Sequence, residues 1–486
     1  MNVLIYVLDC LRKDHLTVYG YSRETAPNIS QLAMEGVIFD KAFSQATWTR
    51  PSAGSMLTGC YPTVHGAVTM QDCLSNKVPT LPSLLQNIGY RTAGFFANAQ
   101  VSSFVGFNRG FEFYVDLFKE KEITGKRYLR EKKGDVDVIQ GNVFPTSEDI
   151  NHYFLPWLRN HTRENFFSFL WSIDTHLPYF QGKDGRFFDP NNKGVFDGRR
   201  ASIKKIKTQD DFSQFINYYD SEIYYNDYQI GEIITELKRL GIYEETMIVV
   251  LADHGEIFND HSRIDDLFIT DLLKRYRLFL RNNHYYRIRC HSSMLPYDVL
   301  INVPLIIKFP HGTFAGQRID ALVQLIDLAP TILDYLMIPD ELWVLRMQGK
   351  SILPVLKESM EEINQFVFSH SQFHRHQDCY NSVRSQDQKL IIAIPPKFTW
   401  SNFRSRPKGF LRRYLGPRKR FFDCTIGEKV NLLYKRKKES AQLFEVLIEW
   451  IKQNDEQRCR IGNTQMKIDV NDEIVKGQLR ALGYFD

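Results

Sequence analysis

The chain has 486 residues, of which 43% are hydrophobic and 13% aromatic, so it can bury a large core. Its net charge of +5 is too mild to indicate nucleic acid as a partner. The seven cysteines are scattered and form no C-x-x-C pair, which excludes the usual spacing of structural zinc and favours a reducing compartment. No export signal and no apolar stretch of about 18 residues is visible, so we expect a cytoplasmic protein without a transmembrane segment.

The predicted elements alternate between strands and helices. The first apolar run, Val3–Leu8, is typical of a strand buried on both faces, and Thr25–Pro27 begins a helix that ends near Gly36. Similar segments follow along the chain: the apolar runs Phe166–Trp171, Met247–Leu251 and Val303–Lys308, and the amphipathic helical stretches Asp220–Leu240 and Ala321–Leu336. This alternation predicts an α/β sandwich.

The pattern becomes shorter and more broken after about residue 340. Leu390–Ile394 indicates a strand there, and Ala441–Lys452 indicates a helix. We therefore predict a catalytic domain over residues 1–345 and a small C-terminal α+β subdomain, residues 346–486, packed on it. Three segments interrupt the pattern and are interpreted as insertions: residues 116–151, 181–211 and 263–289.

Acidic residues stand where two of the apolar runs stop. Asp9 follows the first run, and Asp253 and His254 follow Met247–Leu251. In open α/β sheets the ligand site lies beyond the carboxyl ends of the strands, so we expect these residues to converge. Carboxylate oxygens and an imidazole nitrogen suit a hard or borderline divalent cation. The sequence thus predicts a metal site formed by Asp9, Asp253 and His254.

A hydroxyl residue precedes a helix start at Thr49, because Pro51 and Ser52 are typical of a first helical turn. A helix N-terminus offers unpaired N–H groups and the positive end of the helix dipole, which stabilise an alkoxide or a bound phosphate or sulfate. Thr49 is therefore a candidate nucleophile beside the predicted metal. The alternative is that Thr49 or Ser52 merely caps the helix.

A series of ordered motifs spans almost the whole chain: Asp9–His15, Thr25–Asn28, Thr47–Pro62 followed by His65 and Gly66, Gly106–Phe111, Asp174–Tyr179, Asp253–Glu256, Val303–Ile307, Asp327–Thr331 and Leu482–Tyr484. Together they resemble the sulfatase-like branch of the alkaline phosphatase superfamily, with its sulfatases, phosphonate monoester hydrolases and phosphotransferases. The resemblance implies an alkaline-phosphatase-like sandwich, with a large mixed, mostly parallel sheet flanked by helices and a small C-terminal α+β subdomain. It also implies one divalent metal ion.

The resemblance implies roles for individual residues as well. The metal ligands would be Asp9, Thr49, Asp253 and His254, and Ca²⁺, Mn²⁺, Zn²⁺ and Mg²⁺ all stay open as the ion. Thr49 would be the nucleophile, and the catalytic residues that bind the anionic oxygens or protonate the leaving group would be His176 and His291. The substrate-binding candidates are Asn98 and Arg50.

Simpler alternatives stay open for some of these residues. His176 and His291 each have a simpler alternative, in which the imidazole only makes a structural hydrogen bond, as to a turn. Arg12 and Asp14 are interpreted as a structural ion pair rather than as catalytic groups. Cys10 stands where many sulfatases carry a second acidic ligand, and we interpret it as filler rather than as a thiolate ligand.

One departure from the family pattern decides the expected chemistry. Many sulfatases convert the first residue of Cys/Ser-x-Pro-Ser/Ala-x-Arg into formylglycine, whose hydrated aldehyde attacks sulfur. Here Thr49 takes that position and Gly54 replaces the arginine. Oxidation of a threonine gives a ketone rather than an aldehyde, so no formylglycine is expected.

An unmodified threonine favours a phosphorus substrate. The hypothesis is a metal-dependent hydrolase or transferase of phosphoester, phosphodiester or phosphonate-type substrates, in which Thr49 attacks and water or an alcohol resolves a phospho-threonine. The alternatives are a sulfatase and a catalytically silent sulfatase-like binding protein.

A basic stretch at residues 404–420, with Lys435–Lys438, belongs to the predicted subdomain. Such a run is commonly a solvated face. The functional alternative is a rim that attracts an anionic ester substrate linked to a glycan or a lipid.

Overall fold

The computed structural model describes residues 1–120, 131–133, 136–138, 144–180, 185–260, 288, 294–344, 346–375, 377–395, 418–428 and 430–462. Its strands are β1 (Asn2–Leu8), β2 (Val37–Phe39), β3 (Ala42–Phe43), β4 (Arg91–Phe96), β5 (Phe113–Asp116), β6 (Glu131–Lys133), β7 (Val136–Val138), β8 (Phe166–Ser172), β9 (Thr246–Ala252), β10 (Asn302–Val303), β11 (Leu305–Lys308), β12 (Arg318–Ile319), β13 (Val323–Gln324), β14 (Val367–Ser371), β15 (Cys379–Arg384), β16 (Gln388–Ile394) and β17 (Lys419–Asp423). Its α-helices are α1 (Pro27–Met34), α2 (Thr49–Thr58), α3 (Pro62–His65), α4 (Leu81–Asn87), α5 (Ser147–Asn160), α6 (Gln209–Arg239), α7 (Asp298–Ile301), α8 (Leu328–Tyr335), α9 (Leu353–Leu356) and α10 (Lys437–Arg460).

An eight-stranded mixed sheet forms the centre of the molecule, in the order β12-β2-β11-β9-β1-β8-β4-β5. The strands from β9 to β5 in this order are parallel to one another, whereas β11 is antiparallel to both β9 and β2. Strands β1, β8 and β9 are buried along their whole length, as their continuous apolar runs require. The predicted mixed, mostly parallel sheet flanked by helices is confirmed.

The long helices begin with reciprocal side-chain caps. Thr146 and Asp149 form a capping box at the start of α5, and Thr208 and Asp211 form another at the start of α6. Helix α6 therefore begins eleven residues before the predicted start at Asp220, and it packs against α1 and α5. Within the described residues, no helix combines the length and the apolar character that crossing a membrane requires.

The parallel strands end in register at one edge of the sheet. Leu8 at the end of β1 pairs with Ala252 at the end of β9. Asp9 and Asp253 are the next residues, and Asn98 follows β4 at the same edge. The carboxyl edge of the sheet thus collects polar side chains from three strands, as open α/β sheets generally do.

The C-terminal subdomain consists of the antiparallel sheet β14-β15-β16-β17 and helix α10. Trp450 of α10 stacks on Phe368 and lies edge-on to Tyr61, which belongs to the segment after α2. The backbone N–H of Thr47 donates to Ser371 Oγ at 2.8 Å. Both flanks of α2 are therefore held by the subdomain.

The predicted helix Ala321–Leu336 is wrong over its first half. Val323 and Gln324 form strand β13, which pairs with β3, and the helix proper is Leu328–Tyr335. The side chains of Gln324 and Asp327 cap a short turn between the two elements. Residues 321–333 are all buried, so an apolar pattern alone does not separate the strand and the turn from the helix that follows.

Some predictions fall outside the described residues. These include the main part of the insertions at residues 116–151 and 263–289 and the basic stretch at residues 404–420, of which 418–420 are described. The domain boundary at residue 345 stays a prediction.

A buried ion network joins the subdomain to the helix α7 region. Lys389 Nζ lies 2.7 Å from both Asp298 Oδ1 and Glu428 Oε1, and Arg384 Nε lies 3.1 Å from Asp298 Oδ2. Lys389 is fully buried. Removing the cation leaves a carboxylate buried without its partner, which is strongly destabilising.

We expect Lys389→Met to lower the free energy of unfolding by about 3–5 kcal/mol, because methionine keeps the volume but not the charge. Urea unfolding would measure this change. The exposed Lys435→Met is the matched control and is expected to change the free energy by less than about 0.5 kcal/mol. Equal stabilities of the two variants would contradict the role of the network.

Candidate active site and metal centre

Asp9 lies fully buried at the end of β1 and is the centre of the site. Its Oδ2 atom accepts hydrogen bonds from Asn98 Nδ2 at 2.6 Å, Trp171 Nε1 at 3.0 Å and Thr49 Oγ1 at 3.4 Å. Its Oδ1 atom accepts from Cys10 Sγ at 3.0 Å. These donors come from four different segments, so the carboxylate is held in one orientation.

The loop after β9 supplies a second carboxylate and an imidazole. Asp253 Oδ1 accepts the backbone N–H of Cys10 at 3.1 Å, and Ser52 Oγ donates to the Asp253 carbonyl at 2.8 Å. His254 Nδ1 lies 2.9 Å from the carbonyl oxygen of Gly255. A carbonyl only accepts, so Nδ1 donates and the lone pair of the neutral ring is on Nε2. This is the usual arrangement of a metal-binding histidine.

Thr49 is the first residue of α2, and its side chain is fully buried. Its Oγ1 atom lies 3.4 Å from both Asp9 Oδ2 and His254 Nε2. Trp48 is the N-cap residue and makes no capping bond, whereas Ser52 Oγ bonds to Asp253. Neither Thr49 nor Ser52 caps the helix, so the simpler alternative is not what the structure shows.

The residues present fit a divalent cation. Asp253 Oδ2 is buried without a hydrogen-bond partner and lies 3.3 Å from His254 Nε2. Burial, followed by the charge of Asp253, raises the pKa of Asp9 to about 6, and burial raises the pKa of Asp253 to about 7. Two adjacent buried carboxylates need positive charge beside them. In the described part of the chain, the basic side chain against both of them is His254.

Potential ligand atoms of three residues cluster at this position. Among the described residues, Asp9, Cys10 and His254 each offer one atom, and these atoms lie within 4.8 Å of one another. Three of the four predicted ligands, Asp9, Asp253 and His254, adjoin one another, and Thr49 Oγ1 lies beside them. Cys10 was not expected to belong to this group.

His176 lies in the loop after β8 and is fully buried. Its Nδ1 atom is 2.6 Å from the carbonyl oxygen of Leu177, so the turn contact considered as an alternative is present. The neighbouring Thr175 Oγ1 donates to the Asp9 carbonyl at 2.5 Å, which places this loop against the site. A catalytic role of His176 stays a prediction, and His291 lies outside the described residues.

The two substrate-binding candidates lie in different environments. Asn98 donates to Asp9 and accepts from the N–H of Gln100, so it orients the central carboxylate. Arg50 is buried, and its guanidinium donates to the carbonyls of Met70 and Asp72, among others. These contacts tie α2 to the loop that carries Met70 and Asp72, and the role of Arg50 in binding substrate stays a prediction.

Two features of the site were missed in the sequence. Trp171 ends the apolar run of β8. A buried indole N–H requires a hydrogen-bond acceptor, and for Trp171 that acceptor is Asp9. Arg12 was expected to pair with Asp14, and this pair is present at 2.7 Å. Its Nη1 atom also donates to the Glu256 carbonyl and pairs with Asp260, so Arg12 joins the loop after β1 to the loop after β9.

Gly54 replaces the arginine of the formylglycine pattern, and the structure shows why a side chain is not accommodated. A Cβ atom at Gly54 would lie 2.4 Å from Cε1 of the His65 ring. His65 Nε2 is 3.1 Å from the Pro51 carbonyl oxygen, and Ala67 N–H donates to Nδ1. Burial lowers the pKa of His65 to about 3, so the ring at this position is neutral.

The chain is similar to known proteins in sequence and in fold. An arylsulfatase of Clostridium perfringens is 23% identical over 461 residues, which covers 84% of this chain and 87% of the relative. A protein solved in complex with its substrate, D-glucosamine-2-N,6-O-disulfate, has a TM-score of 0.66 at 18% identity, over 94% of this chain and 98% of that one. The phosphonate monoester hydrolase of Silicibacter pomeroyi has a TM-score of 0.63 at 20% identity, over 94% and 95%.

Family models match in two regions. The model of the N-sulphoglucosamine sulphohydrolase C-terminal region matches residues 290–403. The sulfatase model matches residues 1–338, more than half of the chain. The predicted resemblance is therefore confirmed, and the chain belongs to the sulfatase family.

Proposed function

We propose that this protein is a metal-dependent hydrolase or transferase of phosphoester, phosphodiester or phosphonate-type substrates, with Thr49 as the nucleophile. The observation that carries the proposal is the position of the Thr49 hydroxyl. It lies at the N-terminus of α2, 3.4 Å from both Asp9 Oδ2 and His254 Nε2. A hydroxyl between a carboxylate, an imidazole and a helix N-terminus suits nucleophilic attack on an anionic ester.

Thr49 and Gly54 both argue against formylglycine chemistry. Threonine gives no aldehyde, and the ring of His65 occupies the space that the arginine of the pattern would need. Phosphorus tolerates a stable covalent ester because in-line attack at phosphorus cleaves it again. A sulfate ester of threonine is harder to turn over, so phosphorus is the preferred centre.

The contacts of Asp9 support its role in the proposed reaction. Asp9 Oδ2 accepts the hydroxyl hydrogen of Thr49, and Asn98 and Trp171 hold that oxygen in place. As Thr49 Oγ1 bonds to phosphorus and the ester bond breaks, Asp9 takes the hydroxyl proton and His176 supplies one to the leaving oxygen. Water or an acceptor alcohol then takes the phosphoryl group from Thr49.

The metal contributes through the same residues. Asp9, Asp253 and His254 would hold a divalent cation, and the Lewis-acid chemistry it would supply would neutralise charge on the oxygens of the anionic ester. The burial of both carboxylates keeps water away from this charge and strengthens its effect.

The second candidate function is sulfate ester hydrolysis. The family match, the arylsulfatase relative and the neighbour solved with a sulfated glucosamine favour it. That neighbour's substrate also favours a glycan-linked anionic ester for this chain over a small free one. A direct comparison of phosphorus and sulfur esters separates the two candidates.

Thr49→Ala is expected to lower kcat/KM on an aryl phosphodiester or phosphonate ester by at least about 1,000-fold, because the nucleophile is lost. Thr58→Ala is the matched control, since Thr58 ends the same helix and its hydroxyl donates to the Gly54 carbonyl. It should keep activity within about threefold. An aryl sulfate is assayed in parallel with the same metal-loaded preparations.

Hydrolysis of the aryl sulfate alone, or a formylglycine mass change at residue 49, would overturn the proposed chemistry. Turnover of neither ester by a protein that binds no metal would instead indicate a silent binding protein. Trapping of a phosphorylated peptide that contains Thr49 would support the proposal directly.

The raised pKa values generate a second prediction, on stability. The folded, metal-free protein keeps protons on Asp9 and Asp253 that the unfolded chain loses near its ordinary value of 3.8. Their stabilising contribution is thus full below pH 4 and is lost as the pH rises through about 6 and 7. A bound divalent cation compensates the charge and restores stability.

Asp253→Asn is therefore expected to stabilise the metal-free protein relative to wild type, and by about 2 kcal/mol more at pH 8 than at pH 5. It should also abolish the rise in Tm on adding a divalent cation. Asp327→Asn is the matched control, because Asp327 is buried with a pKa of about 6 outside the site. This control should keep the rise in Tm, and a pH-independent effect of Asp253→Asn would contradict the argument.

A further inference from the structure

Cys10 follows the central carboxylate and is held rigidly by its backbone. It is fully buried and has a φ of 64°, a left-handed conformation that few non-glycine residues adopt. Its N–H donates to Asp253 Oδ1 at 3.1 Å, and its carbonyl accepts from Tyr219 Oη at 2.8 Å. Such a conformation persists where the surrounding contacts determine it, and it is common at functional sites.

The Cys10 thiol and two other donor atoms surround a point from which all three lie at metal-coordination distance. Cys10 Sγ is 3.0 Å from Asp9 Oδ1 and 3.9 Å from His254 Nε2, and these last two atoms are 3.8 Å apart. A triangle with these sides has a circumradius of about 2.1 Å, close to zinc bond lengths of about 2.0–2.3 Å to oxygen, nitrogen and sulfur. One ion therefore contacts all three atoms without movement of the backbone.

A fourth potential ligand atom lies next to one corner of this triangle. Asp253 Oδ2 is fully buried, has no hydrogen-bond partner and lies 3.3 Å from His254 Nε2. A buried carboxylate oxygen of this kind requires a cation or a proton donor. It lies beside His254 Nε2, which is one corner of the triangle.

The donor set selects the class of metal. Ca²⁺ takes six to eight oxygen ligands and Mg²⁺ takes about six, whereas one sulfur, one nitrogen and carboxylate oxygens suit Zn²⁺ and its spectroscopic substitute Co²⁺. The geometry points to Cys10 Sγ as a direct ligand of the active-site cation, which makes this site selective for Zn²⁺-class ions over Ca²⁺ and Mg²⁺.

This inference rests on the metal site of the proposed function and specifies it further. When the metal–sulfur bond forms, the S–H bond breaks and the proton passes to solvent, so no oxidant or reductant is required. It also revises the interpretation of Cys10 as filler, because a filler residue needs no donor atom turned toward Asp9 and His254.

The test uses the full-length protein reconstituted with Co²⁺. Thiolate coordination adds a sulfur-to-cobalt charge-transfer band in the near ultraviolet to the visible d–d bands. We expect this band in the wild type and its loss in Cys10→Ser. Cys379→Ser is the matched control, because Cys379 Sγ also lies 3.7 Å from a histidine, His370, in the C-terminal sheet. The control should keep the full band.

Cys10→Asp tests selectivity without relying on activity. Aspartate tolerates the left-handed conformation better than most residues, so the loop is expected to fold. Competition titrations should show the ratio of Zn²⁺ to Ca²⁺ affinity falling by about tenfold or more, because a hard oxygen replaces a soft sulfur. An unchanged ratio would overturn the inference.

The possible results distinguish a failure of Cys10 as a ligand from a failure of the whole metal site. Cobalt d–d bands without the charge-transfer band overturn Cys10 as a ligand and leave the metal site of the proposed function intact. A protein that binds neither Co²⁺ nor Ca²⁺ overturns both. Loss of the band in Cys10→Ser with retained d–d bands establishes the thiolate ligand.

Discussion

The burial of the Asp9 carboxylate is the constraint on which the rest of the site depends. A strand that is apolar on both faces ends in this acid, so its oxygens are far from bulk solvent and must be satisfied within the protein. Asn98, Trp171 and Thr49 meet this requirement from three other segments. The hydroxyl of Thr49, the proposed nucleophile, is thus positioned by one of the bonds that satisfy the buried carboxylate.

The second carboxylate, Asp253, changes the protonation of Asp9 and the stability of the metal-free fold. Burial and the charge of Asp253 raise the pKa of Asp9 to about 6, and burial raises the pKa of Asp253 to about 7. In the proposed function, a bound cation relieves the repulsion between the two carboxylates, so the same charge that weakens the metal-free fold favours metal binding. Arg12, which joins the loop after β1 to the loop after β9 through Glu256 and Asp260, keeps the carboxylates close despite this repulsion.

Much of this arrangement was predictable from the sequence, because parallel strands place their carboxyl ends together and the runs before Asp9 and Asp253 are unmistakable. Other parts were not. The antiparallel β11 has the same continuous apolar run as its parallel neighbours, and direction leaves no mark on such a run. Trp171 and Cys10 have ordinary apolar interpretations, and only tertiary contacts give them polar partners.

The two departures from the formylglycine pattern, Thr49 and Gly54, are consistent with each other. Where the pattern has an arginine, Gly54 admits the neutral ring of His65, so this position contributes no positive charge near Thr49. The guanidinium of Arg50 is likewise committed to backbone carbonyls. In the proposed reaction, activation of the unmodified Thr49 hydroxyl would then fall to three groups: the Asp9 carboxylate that accepts its hydrogen bond, the N-terminus of α2 and a bound cation.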